Sequence, residues 1–166
     1  MLRVEKIDRT VRRRKFVDGA WLTMRPATSI ESIQAETEAA QIVADWLKAP
    51  QGLREFGLDE FAGPEDGEDM EAQVDRVIGL TRFLVNALLF EMLVTDWDGV
   101  GDADGNPIEI TRKHIGMLLS NADCFAAFER LAWSAVRTVS AEGNACAASP
   151  NGSVEAAETI ARAAPI

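Results

Sequence analysis

One acidic, turn-rich loop contains the residues whose types and spacing come closest to a chemical site. It runs from Trp97 to Pro107, and four aspartates lie in it or beside it, at positions 96, 98, 102 and 104. An EF-hand calcium loop needs oxygen-bearing side chains at positions 1, 3 and 5, glycine at 6 and glutamate at 12. Counting from Asp98 puts Val100 at position 3 and Ala103 at position 6, and the other registers fail too. We interpret the loop as a structural connector, with weak cation binding as the alternative.

Nucleophilic catalysis would have to combine the single histidine, His114, with Cys124 or Cys146. Neither cysteine lies in a nucleophile context or at metal-ligand spacing, and His114 stands in an amphipathic stretch typical of a surface or half-buried side chain. The glycines fall in acidic turns without the lysine that a phosphate-binding loop requires. The sequence therefore predicts no enzyme, no cofactor and no metal site.

Charge is distributed unevenly around a net value of −10. Residues 1–15 carry seven Lys/Arg and two acids, whereas residues 55–75 carry nine acids and no base. An acidic body repels nucleic acid, so we expect no nucleic-acid partner. The basic run Arg12–Lys15 is the only candidate phosphate-binding patch, and a solvated face or a charged sheet edge is the simpler interpretation.

Length and hydropathy limit the class of protein. The chain has 166 residues, 47% of them hydrophobic, which is enough for one domain with a hydrophobic core. We expect no secretory signal, because residues 2–15 are charged throughout. The longest apolar run, Phe83 to Phe90, contains Asn86 and is too short to cross a bilayer. Since two cysteines make no disulfide framework, these features predict a reducing cytoplasm and no membrane partner.

The chain begins with a predicted β-hairpin. Asp18-Gly19, between residues 12–17 and 20–25, is a strong signal for a two-residue turn, which would pair Phe16 with Trp21 on the core face. Thr28 to Glu31 then offers a capping box for a helix that runs to about Lys48. Its apolar residues recur at three- and four-residue spacing and predict a buried stripe: Ile30, Ile33, Ala40, Val43, Trp46 and Leu47.

A longer helix is predicted after an acidic, glycine-rich linker at about residues 51–68, which holds one short turn at 58–61. This helix starts at Glu68-Asp69 and is apolar nearly all round from Leu84 to Leu93, which predicts the central and most buried helix. We expect Gly79 to mark a close helix crossing. The apolar stripe that leads towards Trp97 contains Val74, Val77, Ile78, Leu84, Val85, Leu88, Leu89, Met92 and Leu93.

Two further helices are predicted after the acidic loop. Thr111 can cap a short one that carries Ile115 and paired leucines, and the last runs from Asp123 to Ser140. From Glu142 onward small and polar residues dominate, and they bury too little surface to fold alone. The predicted fold is mainly α (α+β): an N-terminal hairpin packed on about four helices in a single domain, residues 1–141, with a flexible tail, residues 142–166.

The order of these elements resembles that of the tail assembly chaperones of tailed bacteriophages, prophages and gene transfer agents. The hairpin at 16–26 leads into a helix rich in Ala and Glu, and the long apolar helix ends in Trp97-Asp98-Gly99-Val100. Residues 102–111 then lead into a helix with leucines at 118 and 119, and a final helix precedes the small-residue tail at 143–152. The resemblance covers most of the chain, and the tryptophan-acid-glycine loop is its locally specific part.

This resemblance implies a non-catalytic adaptor in the cytoplasm of the host bacterium. Such chaperones coat the long, apolar, helical tape measure protein until tail tube subunits polymerise around it. The implied partners are therefore the tape measure protein and the tail tube protein. A structural tail or head–tail accessory protein, or another helical adaptor, is the alternative, with a metal-binding protein further behind.

A chaperone for an apolar helix needs a groove between amphipathic helices and an acidic exterior. We expect the groove between the helix 30–47 and the last helix, with Trp46, Phe125 and Phe128 on its walls. Leu47 and Trp97 are the other two candidate partner-binding residues. The alternative for each of these side chains is a place in the sealed core.

Overall fold

A computed structural model describes residues 8–46, 49–61 and 69–134. Within these ranges the chain is mainly helical, with a three-stranded antiparallel sheet, and the predicted α+β architecture is confirmed. Its elements are β1 (Arg12–Lys15), β2 (Trp21–Met24), α1 (Ser29–Asp45), α2 (Gln51–Glu55), a 3₁₀ turn (Asp59–Phe61), α3 (Met70–Leu93), β3 (Val94–Asp98), α4 (Arg112–Leu119) and α5 (Ala122–Ala132). The predicted tail, 142–166, and the predicted end of the last helix lie outside the described residues.

The N-terminal hairpin turns at Asp18-Gly19 as predicted, but through a different loop. The backbone N–H of Phe16 donates to Ala20 O at 3.0 Å, and that of Ala20 donates to Val17 O at 3.1 Å. Gly19 has a φ of 84°. The Ala20-to-Val17 bond with a positive φ at Gly19 defines a type II turn, and it lies in a three-residue loop, residues 17–19, rather than in a two-residue hairpin loop.

The three-residue loop shifts the strand pairing by one residue from the predicted register. Lys15 lies opposite Trp21, so the predicted pair of Phe16 with Trp21 is wrong. Phe16 is still buried, but Trp21 is 38% exposed on the outer face of the sheet. Leu22 and Met24 enter the core instead, because a one-residue slip moves alternate side chains to the opposite face.

The third strand was not predicted from the sequence. β3 follows α3 without an intervening loop, since the helix ends at Leu93 and Val94 already has extended φ and ψ of −92° and 124°. It pairs with β2, where Trp97 lies opposite Leu22, so β1 forms an edge of the sheet. Helical spacing continues to Trp97, but the β-branched pair Val94-Thr95 favours a strand.

Helix α1 begins with the predicted capping box but buries a different stripe. The Glu31 N–H donates to Thr28 Oγ1 at 3.4 Å, and the Thr28 N–H donates back to Glu31 Oε2 at 3.0 Å. The face that packs on α3 is built mainly from small residues, among them Ser32, Ala35 and Ala39. Small side chains let the two helices approach closely. In this orientation Ile30 and Ile33, the first residues of the predicted buried stripe, are exposed to solvent instead.

Helix α3 is the central helix, as predicted. Its C-terminal half is buried between the sheet, α1 and α5: Leu84, Asn86, Ala87, Leu88, Leu89, Phe90 and Leu93. In its N-terminal half, Val74 and Ile78 are 52% and 61% exposed, contrary to the prediction. Gly79 marks no crossing, because a Cβ there would meet nothing within 4 Å. The close approach is at Gly116 of α4, where a Cβ would lie 1.8 Å from the Phe56 carbonyl oxygen.

Part of the predicted linker is folded. Residues 51–61 form α2 and the predicted short turn, and three side chains of this segment are buried: Leu53, Phe56 and Leu58. The glycines that suggested a linker have structural roles. A Cβ on Gly52 would lie 2.8 Å from the Ile42 side chain, and Gly57 follows α2 with a φ of 70°. Residues 62–68 lie outside the described ranges.

Arg112 connects four helices. It is the first residue of α4, and its guanidinium lies 3.0 Å from Glu38 of α1, 3.0 Å from Glu55 of α2 and 2.9 Å from Glu91 of α3. It also lies 5.2 Å from the centre of the Phe56 ring. Hydrogen bonding, first to Glu91 and then to the other two carboxylates, raises the pKa of Arg112 although its partial burial opposes this. The contacts hold α2 and α4 in place, which positions the 3₁₀ turn and the start of α5.

Candidate partner-binding site

An open groove of about 630 Å³ lies beside the N-terminal half of α3. The side chains of Leu58, Leu80 and Leu119 that border it are nearly fully buried and form its floor. More accessible aromatic side chains and a polar rim complete the lining: Phe61, Phe83, Phe125, Glu60, Arg76, Arg82 and Ser120. Its size lies in the ordinary range for ligand-binding clefts, and its lining combines apolar surface with a few charged groups.

The aromatic wall is positioned by the start of α5. Asn121 caps this helix, since its Oδ1 accepts hydrogen bonds from the backbone N–H groups of Asp123 at 3.0 Å and Cys124 at 3.2 Å. Phe125 therefore lies in the first turn of α5, and its ring stacks on Phe83 of α3 with centroids 6.1 Å apart and planes inclined by 19°. The stacked pair presents a flat apolar surface to the groove.

The opposite wall is held by Trp46. Its indole Nε1–H donates to the carbonyl oxygen of Phe61 at 2.6 Å, which ties the end of the 3₁₀ turn to the C-terminal end of α1. Phe61 is 37% exposed as a result of its place on this wall. A Cβ added at Gly79, which also lines the groove, would meet no atom within 4 Å, so the groove is open at this position.

The charged residues among the described lining of the groove are Glu60, Arg76 and Arg82. Arg82 donates to both carboxylate oxygens of Glu129, at 3.0 and 3.2 Å, and lies 5.7 Å from the centre of the Phe125 ring. The charge of Arg82 is therefore already paired, and the stacked Phe83 and Phe125 rings are the surface that the groove offers to a ligand. An apolar or aromatic side chain complements such a surface.

Of the five candidate partner-binding residues, Phe125 is the one that lines the groove. Trp46 is 2% exposed and Phe128 is 0% exposed, so both are sealed in the core. Trp97 is 9% exposed and donates its Nε1–H to Ile108 O at 2.8 Å. Leu47 lies outside the described residues.

The groove is not where the sequence suggested, between α1 and the last helix. Both of these helices pack on α3, and the groove lies where α3 meets the 3₁₀ turn and α5. Sequence reasoning missed Phe61, Phe83 and the two arginines. Phe61 gave a usable signal, since a bulky aromatic residue in an otherwise acidic, glycine-rich segment has to pack on something.

The acidic loop borders a second concave surface of about 920 Å³, formed by residues 95–110. Asp102 organises it: its Oδ1 accepts from the backbone N–H groups of Asn106 at 2.8 Å and Asp104 at 3.0 Å. These hydrogen bonds, first of all that from Asn106, lower the pKa of Asp102. In the part of the chain that the structure describes, no three His, Cys, Asp or Glu side chains are grouped to hold a metal ion.

Of the candidate nucleophiles, Cys124 lies in surroundings that disfavour reactivity, and Cys146 lies outside the described residues. Burial, and secondarily the charge of Asp123, raises the pKa of the Cys124 thiol, which disfavours the reactive thiolate. The His114 Nδ1 lies 2.7 Å from the carbonyl oxygen of Glu109, so this ring nitrogen is occupied by the loop backbone. Among the described helices, none combines the length and the apolar character needed to cross a membrane.

Comparison with known proteins assigns no family. No family model matches the chain, and neither a curated protein nor a solved structure matches it significantly. The function is therefore argued from the groove and from the order of elements along the sequence.

Proposed function

We propose that the protein is a phage tail assembly chaperone, a non-catalytic adaptor that binds the tape measure protein during tail assembly. The observation that carries the proposal is the groove, whose lining includes the stacked rings of Phe83 and Phe125. The order of hairpin, helices and tryptophan-acid-glycine loop supports the choice of family. The tail tube protein is the second partner expected of such a chaperone.

The groove suits a helical partner better than a soluble metabolite. Helix-in-groove recognition uses apolar anchors that recur along one face of the bound helix. Rigid aromatic side chains such as Phe83 and Phe125 provide large contact area at low entropic cost. A long apolar helix, such as a tape measure protein would present, offers such anchors repeatedly.

The acidic character of the rest of the chain supports the same role. A helix that aggregates when free stays dispersed if its bound adaptors carry a large net charge of one sign, because the coated assemblies then repel each other. The net charge of −10 supplies this repulsion at neutral pH.

The direct experiment is co-expression with the tape measure protein encoded nearest downstream of this chain. We expect the tape measure protein to become soluble and to co-purify with the chaperone. If it stays insoluble and unbound, the proposed function is wrong, and the chain should then be sought in the mature particle as a structural component.

A matched pair of variants tests the groove itself. Phe125→Ser removes half of the stacked aromatic wall, whereas Met117→Ser removes an apolar side chain that is 60% exposed on α4 outside the groove. We expect Phe125→Ser to lose at least tenfold in affinity for the tape measure protein, about 1.4 kcal/mol, and Met117→Ser to bind normally. Melting curves of both variants separate lost binding from lost folding. If both bind as the wild type does, the partner docks elsewhere.

A further inference from the structure

Helix α1 exposes two isoleucines in its first two turns. Ile30 and Ile33 are 70% and 62% exposed, although the opposite side of the helix is packed on α3. Thr37, Ala40 and Ala44 continue the exposed side at three- and four-residue spacing, and we call these five positions the α1 outer face. Exposed isoleucines one turn apart form a patch, and such a patch favours contact with another apolar surface.

Two acids border the α1 outer face, and neither has a cationic partner among the residues that the structure describes. Glu36 Oε1 accepts a hydrogen bond from Ser32 Oγ at 3.1 Å, and Asp45 Oδ2 accepts one from Gln41 Nε2 at 2.8 Å. Both donors are neutral, so an occupant of this face has to offer apolar side chains together with positive charge. A second copy of the same face would bring like charges together instead.

The N-terminal part of the chain reaches α1 at its first turn. Arg9 Nη2 donates to Glu31 Oε1 at 2.6 Å, and Arg25 pairs with the same carboxylate. The Glu31 side chain is 10% exposed, so Arg9 is held against the fold rather than in open solvent. Glu31 lies between Ile30 and Ile33 along α1, so the chain that precedes Arg9 starts beside the two exposed isoleucines.

We propose that residues 1–7, which we call the N-terminal arm, dock on the α1 outer face. The composition of the arm is the one that this face requires, because four of its residues are apolar and two are basic: Met1, Leu2, Val4 and Ile7, and Arg3 and Lys6. The apolar side chains complement Ile30 and Ile33, and the basic ones complement the bordering acids.

The dimensions of the arm and of the face agree. An extended chain advances about 3.3 Å per residue, so Leu2 would lie about 17 Å from Ile7. A helix rises about 1.5 Å per residue, so Ala40 lies about 15 Å along α1 from Ile30. An attached segment also needs less contact area than a free partner, because the covalent link keeps its local concentration in the millimolar range. The small size of the face therefore favours a segment of this chain over a second copy.

Trypsin cleavage after Arg3 measures how often the arm is detached. The protease cuts the arm only when it is undocked, so the rate follows the population of the detached form. We expect the full chain to be cut after Arg3 at least about tenfold more slowly than a synthetic peptide of residues 1–11, as measured by mass spectrometry. Cleavage at the rate of the peptide would overturn the proposal.

A matched pair of variants locates the docking surface. Ile33→Ser removes apolar contact from the α1 outer face, and Ile78→Ser makes the same change at a position that is 61% exposed on α3. We expect Ile33→Ser to raise the cleavage rate after Arg3 at least about threefold and Ile78→Ser to leave it unchanged. Melting curves check that both variants stay folded. If Ile33→Ser is cut no faster than the wild type, the arm does not dock on this face.

The contribution of charge is tested by Glu36→Gln, with Glu71→Gln in the first turn of α3 as its control. Glu36→Gln should speed cleavage after Arg3 about twofold at low ionic strength, and the effect should shrink as salt screens the interaction. An equal effect of the two variants would contradict docking beside Glu36.

Dilution distinguishes the arm from a second copy on the same face. Protection within one chain stays constant over about a hundredfold dilution, whereas protection that disappears on dilution would assign the face to another molecule and overturn the proposal. An arm that is cut freely, in a chain where Ile33→Ser loses the tape measure protein, would assign the face to that partner and overturn it too. The cleavage rates are measured without the tape measure protein, so their outcome is independent of the chaperone proposal, whose test uses Phe125.

Discussion

Both halves of α3 carry apolar residues at helical spacing, but only the C-terminal half is enclosed by other elements. From Leu84 to Leu93 the helix is enclosed by the sheet, α1 and α5, whereas Met70, Val74 and Ile78 of the first half are exposed. The difference arises because the sheet and α5 cover only the C-terminal half of a 24-residue helix. An apolar stripe therefore becomes core only where enough other elements surround it, and elsewhere it remains available to a partner.

The enclosed half is fixed by polar contacts as well as by packing. Arg25 donates to Met92 O at 3.1 Å and pairs with Glu31, and its backbone N–H donates to Leu93 O at 3.2 Å. These bonds join the end of β2, the start of α1 and the last turn of α3. The open half ends instead at Asp69, whose side chain caps the helix by accepting from Ala72 N–H at 2.8 Å.

Truncation of one apolar side chain in each half should show the largest contrast. Phe90 is fully buried and its ring contacts Phe128 at 4.8 Å and Trp97 at 6.0 Å between centroids. We expect Phe90→Ala to lower the free energy of unfolding by about 3–5 kcal/mol. Ile78→Ala should change it by about 0.5 kcal/mol or less. Urea unfolding measures both, and similar losses would mean that the first half of α3 is covered in solution.

Two glycine-to-alanine substitutions give the next largest contrast. Gly116→Ala places a Cβ 1.8 Å from the backbone oxygen of Phe56, which cannot move aside as a flexible side chain could. We expect a loss of about 3 kcal/mol. Gly79→Ala meets nothing within 4 Å, so the gain in helix propensity should stabilise the protein by about 1 kcal/mol. Thermal melts of both variants decide this, and a destabilised Gly79→Ala would contradict the open groove.

The pH dependence of stability should reveal the polar contacts of the enclosed half through Glu31. Burial alone would raise the pKa of this carboxyl, but hydrogen bonds from Arg25 and Thr28 outweigh it and hold the pKa below the ordinary 4.5. The ionised group therefore stabilises the fold above pH 4.5, and that contribution is lost as the pH falls through the lowered folded value.

Glu31→Gln isolates this contribution from other acids. At pH 7 we expect the variant to be on the order of 2 kcal/mol less stable than the wild type, and the gap should narrow towards pH 3. Urea titrations at several pH values measure the gap. A gap that stays constant with pH would show that the charge of Glu31 does not contribute.

The smallest expected effect concerns a buried polar side chain in the enclosed half of α3. Asn86 is 3% exposed, and its Nδ2 donates to Arg82 O at 3.0 Å, but its Oδ1 has no hydrogen-bond partner. An unpaired buried acceptor is unfavourable, so Asn86→Leu should stabilise the protein by about 1 kcal/mol. Asn86→Asp, which places a charge at the same position, should destabilise it strongly. Calorimetric melts compare the two variants, and a loss of stability in Asn86→Leu would show that Oδ1 has a partner in solution.

Features fixed by local chemistry could be predicted from the sequence. The Thr28–Glu31 capping box, the Thr111 cap and the Asp18-Gly19 turn each depend on a few neighbouring residues, and all three are present. The central place of α3 was also predictable, because a helix that is apolar on nearly every side between residues 84 and 93 has to be largely surrounded.

Features that depend on a single residue of register or on a distant contact could not be predicted. The hairpin pattern does not distinguish a two-residue loop from a three-residue loop, although the choice reverses the faces of Trp21 and Leu22. Both faces of α1 contain apolar residues, and the alanines lie inside because they fit against α3. The groove needed Phe61 and Phe83, which are 22 residues apart, to be brought to opposite walls by tertiary packing.

The direct passage from α3 into β3 has a mechanical consequence. Leu93 closes the last helical turn and Val94 opens the strand, so the two elements form one continuous piece without a compliant joint. A partner that pulls on the groove end of α3 would apply a force along the helix. That force would pass into β3 and, through the strand pairing, into β2. Tension on a bound helix would then strain the sheet and the groove together, and its release would relax both.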